Sequence, residues 1–220
     1  MNVELISYWG SDITISNCAR VSYNKEASNY TEEQNEKLIK YLIEHKHLSP
    51  FRHSSLQFRI TCPIYVERQI FKHSVGISVN SISGRYVDFS DSYTTITEWR
   101  KQSKSSKQGS EGVIEEQDIA SMIEQEVIEN CKLAYISLLD LGVSKEQARS
   151  VLPLSLNTTF IWTGTFLAFI HMCELRLKKD AQQETRELVK EMYNTIINID
   201  GNPFKYSMKH FDVLKENQIN

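Results

Sequence analysis

The segment FIWTGTFLAFIHMCELRL, residues 160–177, most constrains the fold because it is apolar on nearly every side. Its only charged residues, Glu174 and Arg176, come within the last four positions. A segment of this composition has no polar face to turn toward water, so it must be buried on most sides. We predict a helix over 160–177 that lies in the core.

The first half of the chain holds the predicted strands. SLQFRITC, residues 55–62, alternates apolar with more polar residues, which is the period of a half-buried strand. Its apolar side consists of Leu56, Phe58, Ile60 and Cys62. NVELISYW (2–9) and RYVDF (85–89) are two further candidate strands, and Pro63 suits the first turn of a short helix that follows.

Helical signals dominate the second half. Thr31 opens the capping-box pattern TEEQ, Gly142 suits the end of a helix, and Asp180 is predicted to cap a last helix. KQSKSSKQGSEG, residues 101–112, has low complexity, and we expect a mobile loop there. These signals predict an α+β fold in a single domain over 1–220, with a helical C-terminal half.

Composition excludes several classes of protein. A formal net charge of −3 gives no electrostatic reason to expect nucleic acid or an anionic membrane as partner. No apolar run reaches the roughly 20 residues of a membrane span, and MNVELISYWG lacks the pattern of a signal peptide. The four cysteines are scattered without a C-x-x-C pair, so neither a zinc site nor a disulfide framework is expected. We predict a cytoplasmic protein.

Residues 71–86, FKHSVGISVNSISGRY, form a polar segment without a long apolar run. Its Ser83-Gly84-Arg85 turn offers backbone N–H groups and a guanidinium, which suit a phosphate. Arg149 and Arg176 could complete a site for a small anion, or could simply reach solvent from helix ends. The residues alone leave both interpretations open.

Other reactive side chains carry weaker signals. His45, His47 and His53 match no zinc spacing, so no metal site is expected. His171 suits a core histidine as well as a functional one, and Cys62 falls on the apolar side of a strand, which favours packing over nucleophilic catalysis. The chain lacks G-x-S-x-G, P-loop and G-x-G-x-x-G motifs.

Several segments together resemble the flavin-dependent (alternative) thymidylate synthases. The signature of that family has Arg-His-Arg, seven residues and then Ser, expanding to S-x-N-x-x-S-x-R, and residues 78–86, SVNSISGRY, match its second half. Other segments resemble family blocks in the family's order: CARVSY (18–23), HLSPFRH (47–53), ERQIFKH (67–73), ARSVLPL (148–154), FIWTG (160–164) and LRLKKDAQQETREL (175–188).

The resemblance implies the reductive methylation of dUMP to dTMP. In that family 5,10-methylenetetrahydrofolate supplies the carbon, bound FAD supplies the hydride and NADPH reduces the flavin again. The resemblance also implies the thymidylate synthase-complementing protein fold, a mixed β-sheet flanked by α-helices, and a homotetramer with shared active sites. No nucleic acid or membrane partner is expected.

Site residues follow from the resemblance position by position. Arg176 and Ser83 are the implied catalytic residues, with Arg176 against the uracil ring, where it can stabilise negative charge on the ring oxygen. The implied substrate-binding residues are Gln69, Ser81, Ser83, Gly84, Arg85, Arg149, Arg176 and His47, the last bordering the folate or nicotinamide ring. The implied FAD-binding residues are Ser49, Lys72, His73, Ser74, Asn80, His171 and Thr165.

The chain departs from the signature in its first half. Lys72 and Ser74 replace two arginines, eight residues rather than seven precede Ser83, and Ser81 replaces a usual Glu. Lysine keeps the charge but loses the bidentate fork of arginine. Two alternatives therefore stay open: a related flavoenzyme that hydroxymethylates a pyrimidine nucleotide, and a catalytically idle protein that binds nucleotide or flavin, with an RNA association in the latter case.

Overall fold

The computed structural model describes residues 1–88, 92–104, 107, 109–211 and 213–216, and it confirms the predicted α+β class. The strands are β1 (Asn2–Trp9), β2 (Ser55–Pro63), β3 (Ile77–Ser81), β4 (Arg100–Gln102), β5 (Ser110–Val113) and β6 (Asn157–Thr165). The α-helices are α1 (Asp12–Arg20), α2 (Glu32–Glu44), α3 (Ile64–Ile70), α4 (Gln117–Asp140), α5 (Lys145–Ala148), α6 (Phe166–Arg176), α7 (Gln183–Ile197), α8 (Lys205–Phe211) and α9 (Val213–Glu216). The main sheet has the order β1-β2-β6-β3, and β4 pairs with β5 as an antiparallel hairpin.

The chain divides into two compact units. The first comprises Met1–Asn2, Ile60–Lys72 and Asn80–Phe160. The second comprises Val3–Arg59, His73–Val79 and Ile161–Asn220. The single domain over 1–220 stays a prediction. Within the described residues, no helix is both long and apolar enough to cross a membrane.

In the structure, α2 and β2 lie where the local sequence patterns predict them. The Thr31 side chain accepts from the Gln34 N–H, and the Gln34 side chain accepts from the Thr31 N–H, so the capping box is complete. Along β2 the predicted apolar side is buried, with each of its four side chains at most 1% exposed. Gly142 follows α4 at φ +84°, as expected of a glycine that ends a helix.

The predicted helix over 160–177 is wrong in its first third. Residues up to Thr165 form β6, whose side chains alternate between buried and half-buried, and only then does α6 begin. The Thr165 hydroxyl accepts from the Ala168 N–H and caps α6. A Cβ added to Gly164 would lie 2.7 Å from Ile77 Cγ1, so close strand contact requires glycine here. The run is buried as predicted, but as a strand followed by a helix.

Three smaller predictions also change. The described part of RYVDF, residues 85–88, forms a turn in which the Tyr86 and Val87 N–H groups donate to the Ser83 carbonyl. Helix α7 begins at Gln183 rather than under a cap from Asp180. Residues 101–102 and 110–112 of the predicted loop belong to the strands of the hairpin β4–β5; residues 105, 106 and 108 lie outside the described residues, and mobility of the segment stays a prediction.

Helix α8 is held by buried Asp12, within the second unit. Its carboxylate accepts from the Tyr206 N–H at 2.6 Å and the Ser207 N–H at 3.1 Å. The Ser207 hydroxyl donates to the same carboxylate. The first N–H groups of a helix have no partner within the helix. Asp12 therefore acts as an N-cap supplied from a distant part of the chain.

We expect Asp12→Ala to lower the free energy of unfolding by about 1–3 kcal/mol, because it leaves buried N–H donors of α8 without acceptors. Asp12→Asn is the matched variant: its single amide oxygen can accept from only one of the two N–H groups that Oδ1 and Oδ2 accept from, so it should lose less stability than alanine does. Urea denaturation of the three proteins measures the difference. Equal losses in both variants would contradict the capping role.

Candidate active site

Two predicted nucleotide-binding arginines lie close together in the first unit. Arg85 Nε is 3.4 Å from Glu146 Oε2, in a pair whose side chains are both about half exposed. Arg149 Nε donates to the backbone carbonyl of the same Glu146 at 3.2 Å. Segments about sixty residues apart therefore bring two guanidinium groups to one glutamate. Paired arginines of this kind suit a phosphate, with its several acceptor oxygens.

The turn after β3 positions Arg85. Gly84 is buried, and the Arg85 N–H donates to the Ser83 hydroxyl at 3.3 Å, which fixes the backbone just before the arginine side chain. Asn80 and Ser81 end β3 as exposed residues. The sequence therefore forms a short strand and a tight polar turn, as expected of a loop that lets backbone N–H groups approach an anion.

In the second unit, Arg176 contacts a histidine. Its Nε donates to Nε2 of His73 at 2.9 Å, and both side chains are half-buried. An acceptor Nε2 means that this ring is neutral, with its proton on Nδ1. Burial, followed by the charge of Arg176, lowers the pKa of His73, which favours that neutral form. Two residues predicted for different ligands, the uracil and the flavin, thus form one hydrogen-bonded pair.

A Schellman motif at the end of α2 positions His47. The His47 N–H donates to the Leu42 carbonyl at 2.8 Å, and the Lys46 N–H donates to the Ile43 carbonyl at 3.1 Å. The His47 ring lies 6.0 Å from the Tyr41 ring, which in turn stacks on His45 at 4.0 Å. His47 is therefore part of an exposed aromatic cluster. Such a cluster can present ring faces to a flat heterocycle.

His171 lines a cavity of about 690 Å³ in the second unit. Burial, followed by the charge of Arg52, lowers the pKa of His171. The other lining residues are Ile43, Lys46, Leu48, Glu174, Leu175, Lys178, His210 and Phe211. Four cationic or titratable nitrogen side chains, those of Lys46, His171, Lys178 and His210, beside apolar walls match the chemistry of FAD, whose diphosphate is anionic and whose ring systems are flat. The residues present thus fit the cofactor that the resemblance implies.

Cys62 packs in the core, as the strand pattern predicts. It is fully buried, and burial followed by the charge of Glu67 raises its pKa to about 12. A thiol in this state is not a nucleophile near neutral pH. Among the residues that the structure describes, no group of three or more His, Cys, Asp or Glu side chains could hold a metal ion.

The predicted site residues divide between the two units. The first unit holds Gln69, Lys72, Asn80, Ser81, Ser83, Gly84, Arg85 and Arg149. The second holds His47, Ser49, His73, Ser74, Thr165, His171 and Arg176. Thr165 has a structural task as the cap of α6. Sequence reasoning missed Glu146, since an exposed acidic side chain carries no pattern, and Lys46, Lys178, His210 and Phe211, which only the fold brings beside His171.

Comparisons with known proteins identify relatives of this chain. A flavin-dependent thymidylate synthase from Thermus thermophilus is 38% identical over 188 residues, which cover 86% of this chain and 68% of that protein. The enzyme of the same name from Kosmotoga olearia is 38% identical, with 84% and 80% covered. The crystal structure of the UMP/dUMP methylase PolB from Streptomyces cacaoi, bound with 5-Br dUMP, superposes with a TM-score of 0.84 at 25% identity, covering 98% of this chain and 94% of that one.

A family model shows which part of the chain matches the family. Residues 4–200 match the model described as thymidylate synthase complementing protein. The match contains both Arg85 and Arg149 with their shared Glu146, and also the pair of His73 and Arg176. It ends before α8. The chain belongs to the thymidylate synthase complementing protein family.

Proposed function

We propose that this chain is a flavin-dependent thymidylate synthase that methylates dUMP to dTMP. The observation that carries the proposal is Arg176, held by His73 at the end of the buried helix α6. Methylenetetrahydrofolate supplies the carbon and NADPH the reducing equivalents, which bound FAD passes to the product as hydride. The names of the relatives, flavin-dependent thymidylate synthases and a UMP/dUMP methylase, support this reaction.

The protein's own residues have separate tasks in this proposal. Arg85 and Arg149 bind the phosphate, with backbone N–H groups of the turn at Ser83 and Gly84 beside them. The guanidinium of Arg176 faces the uracil and stabilises negative charge on a ring oxygen while C5 forms its new bond. Such stabilisation is effective because the charge is fixed before the reaction begins, by its bond to His73.

The other proposed ligand contacts are less specific. Gln69 and Ser81 bind the nucleotide, and Ser49, Lys72, His73, Ser74, Asn80, Thr165 and His171 bind FAD. His47 and its aromatic neighbours border the folate or nicotinamide ring. Because Lys72 lacks the fork of an arginine, it supplies charge without bidentate geometry.

Assembly and location are also proposed. Helix α4 exposes many apolar side chains, which favours burial against other copies in a homotetramer with shared sites. They include Ile119, Met122, Ile123, Val127, Leu133 and Ile136. Light scattering after size exclusion measures the mass and would exclude the tetramer if it gave a monomer. We propose a cytoplasmic location, where dUMP, folate and NADPH are available.

The test is turnover of dUMP by the purified protein with added FAD, methylenetetrahydrofolate and NADPH. A yellow protein that yields dTMP supports the proposal. A colourless protein that yields no product with added FAD overturns it. Mass spectrometry of the product separates a methyl from a hydroxymethyl group. UMP belongs in the same assay, because the structural neighbour is named for both nucleotides.

We expect Glu146→Gln to lower the KM for dUMP about two- to fivefold, the effect of removing one exposed ion-pair partner. The Glu146 carboxylate pairs with Arg85 and competes with the substrate phosphate for it. Glu33→Gln, an exposed change on α2, is the control. A KM that is unchanged, or that rises, would contradict the competition.

We expect kcat/KM for dUMP to fall as the pH drops through a pKa below the ordinary histidine value of about 6.5. The neutral His73 ring accepts a hydrogen bond from Arg176, and protonation removes that acceptor and places two cations side by side. This fall of kcat/KM at low pH, the acid limb, should disappear in His73→Gln, because the glutamine amide oxygen accepts a hydrogen bond at every pH. An identical acid limb in that variant would assign the titration to another group.

A further inference from the structure

The extra residue of the variant signature lies at a turn. The second half of the signature matches from Ser78, so the one residue that this chain adds lies between Ser74 and Ser78. There Val75 and Gly76 form the centre of a turn, which the Ile77 N–H closes by donating to the Ser74 carbonyl at 3.4 Å. Gly76 has a φ of +74°, and Val75 is 89% exposed. A positive φ at the third residue of a turn favours glycine, as in type II turns.

This turn, residues 74–77, packs against the junction of β6 and α6 within the second unit. The Gly76 carbonyl accepts from the Thr165 N–H at 2.9 Å. A Cβ added to Gly76 would lie 3.2 Å from Thr165 Oγ1, the oxygen that caps α6. A Cβ added to Gly164 would lie 3.1 Å from the Gly76 carbonyl oxygen. Both glycines therefore allow the two backbones to approach closely, and the 74–77 turn is fixed to the start of α6.

The opposite end of α6 holds His73. Arg176, the last residue of α6, donates to His73, which lies three positions before Gly76. The eleven residues of α6 rise by about 16 Å, whereas three residues of extended chain reach about 10–11 Å. The Arg176 side chain, which leaves its helix tilted toward the N-terminus, bridges the rest. The segment from His73 to Gly76 therefore has little slack, and a displacement of the turn moves the imidazole relative to the guanidinium.

We propose that the 74–77 turn is a positioning element, in which Gly76 sets the place of the His73 imidazole and thereby that of the Arg176 guanidinium. The inference rests on the proposed function, because it takes Arg176 as the group that faces the uracil. Ser74 carries no charge, so it cannot hold this segment through an ion pair as an arginine could. The backbone contacts of the turn hold the segment instead.

The test compares wild type, Gly76→Ala and Gly164→Ala by NMR titration of the His73 imidazole and by the pH dependence of kcat/KM for dUMP. Both substitutions place a Cβ in the contact between the turn and β6. Each should raise the pKa of His73 toward the ordinary value, because burial and the charge of Arg176 lower it in the wild type. The acid limb should move to higher pH. The kcat should fall about tenfold, since a displacement of about 1 Å can cost up to about 100-fold.

Gly201→Ala is the matched control. Gly201 has a φ of +72°, so alanine meets the same backbone strain there, yet no described atom beyond its chain neighbours lies within 4 Å of the added Cβ. This variant should lower the melting temperature, as Gly76→Ala does, and leave kcat and the pKa of His73 unchanged. A second comparison adds Gly76→Ala to His73→Ala, which has no imidazole to position. There the added substitution should lower kcat no further.

Each outcome decides for or against the positioning role. Wild-type values of kcat and of the His73 pKa in Gly76→Ala and Gly164→Ala would overturn it, and so would equal shifts in Gly201→Ala. A fall in kcat that persists in full on the His73→Ala background would also overturn it. Gly164→Ala carries no strain from a positive φ, so it decides the question if Gly76→Ala is isolated unfolded. Wild type that converts no dUMP would overturn the proposed function, whereas the pKa of His73, measured without substrate, still shows whether the turn positions the imidazole.

Discussion

Arg176→Ala should lower kcat for dUMP methylation about 10²–10³-fold, the usual effect of removing one preorganised group that stabilises developing charge. Flavin binding should survive, because the guanidinium is proposed to face the uracil. In this variant His73 loses the hydrogen bond that it accepts from Arg176 at 2.9 Å, together with the nearby positive charge. The pKa of His73 should therefore rise toward the ordinary histidine value.

The comparison needs two further variants. Arg176→Lys keeps a positive charge but not the planar donor set, and it should recover only part of the lost rate. Arg59→Ala removes an exposed arginine that pairs with Glu4 at 3.1 Å, and it should leave kcat unchanged. Turnover, bound flavin and circular dichroism are measured on all of them. A kcat within threefold of wild type in Arg176→Ala would remove Arg176 from the catalytic site.

Local patterns predicted those parts of the fold that depend on neighbours in sequence. The capping box at Thr31 and the alternation along β2 are of this kind, since each involves residues within a few positions of one another. The anchoring of α8 is the opposite case. Its capping residue, Asp12, lies almost two hundred positions away, and no pattern around Tyr206 or Ser207 points to it.

The segment 160–177 explains the largest error. An apolar run carries no polar face, so its periodicity cannot distinguish strand from helix. The signals that could have done so are Thr163, Gly164 and Thr165, which favour a strand and a bend over a helix interior. Burial of the segment was predictable from composition, whereas the change from strand to helix at Thr165 depends on a cap and on contact with β3.

The site was predictable as a set of residue types and not as an arrangement. Arginines near Gly and Ser indicate an anion, and family blocks assign them ligands. The shared contact of Arg85 and Arg149 with Glu146 depends on how the first unit folds. The same holds for the bond between His73 and Arg176, which are separated by 103 positions. Distances of this kind follow from tertiary structure alone.

Trp162→Ala should lower the free energy of unfolding by about 3–5 kcal/mol, the usual cost of truncating a buried aromatic side chain to alanine. The Trp162 side chain is 1% exposed, and its ring meets Phe169 edge to face with 5.4 Å between ring centroids. Removal leaves a cavity within the second unit, where α6 is buried along most of its length and has little freedom to fill it.

Trp9→Ala is the matched control, since Trp9 also lies on a strand of the main sheet but is 63% exposed. It should change stability by no more than about 0.5 kcal/mol. Urea denaturation of both variants gives the two free energies, and an unchanged m-value shows that the native and unfolded states are comparable. If Trp162→Ala lost no more free energy of unfolding than Trp9→Ala, the Trp162 side chain would not be part of the buried core.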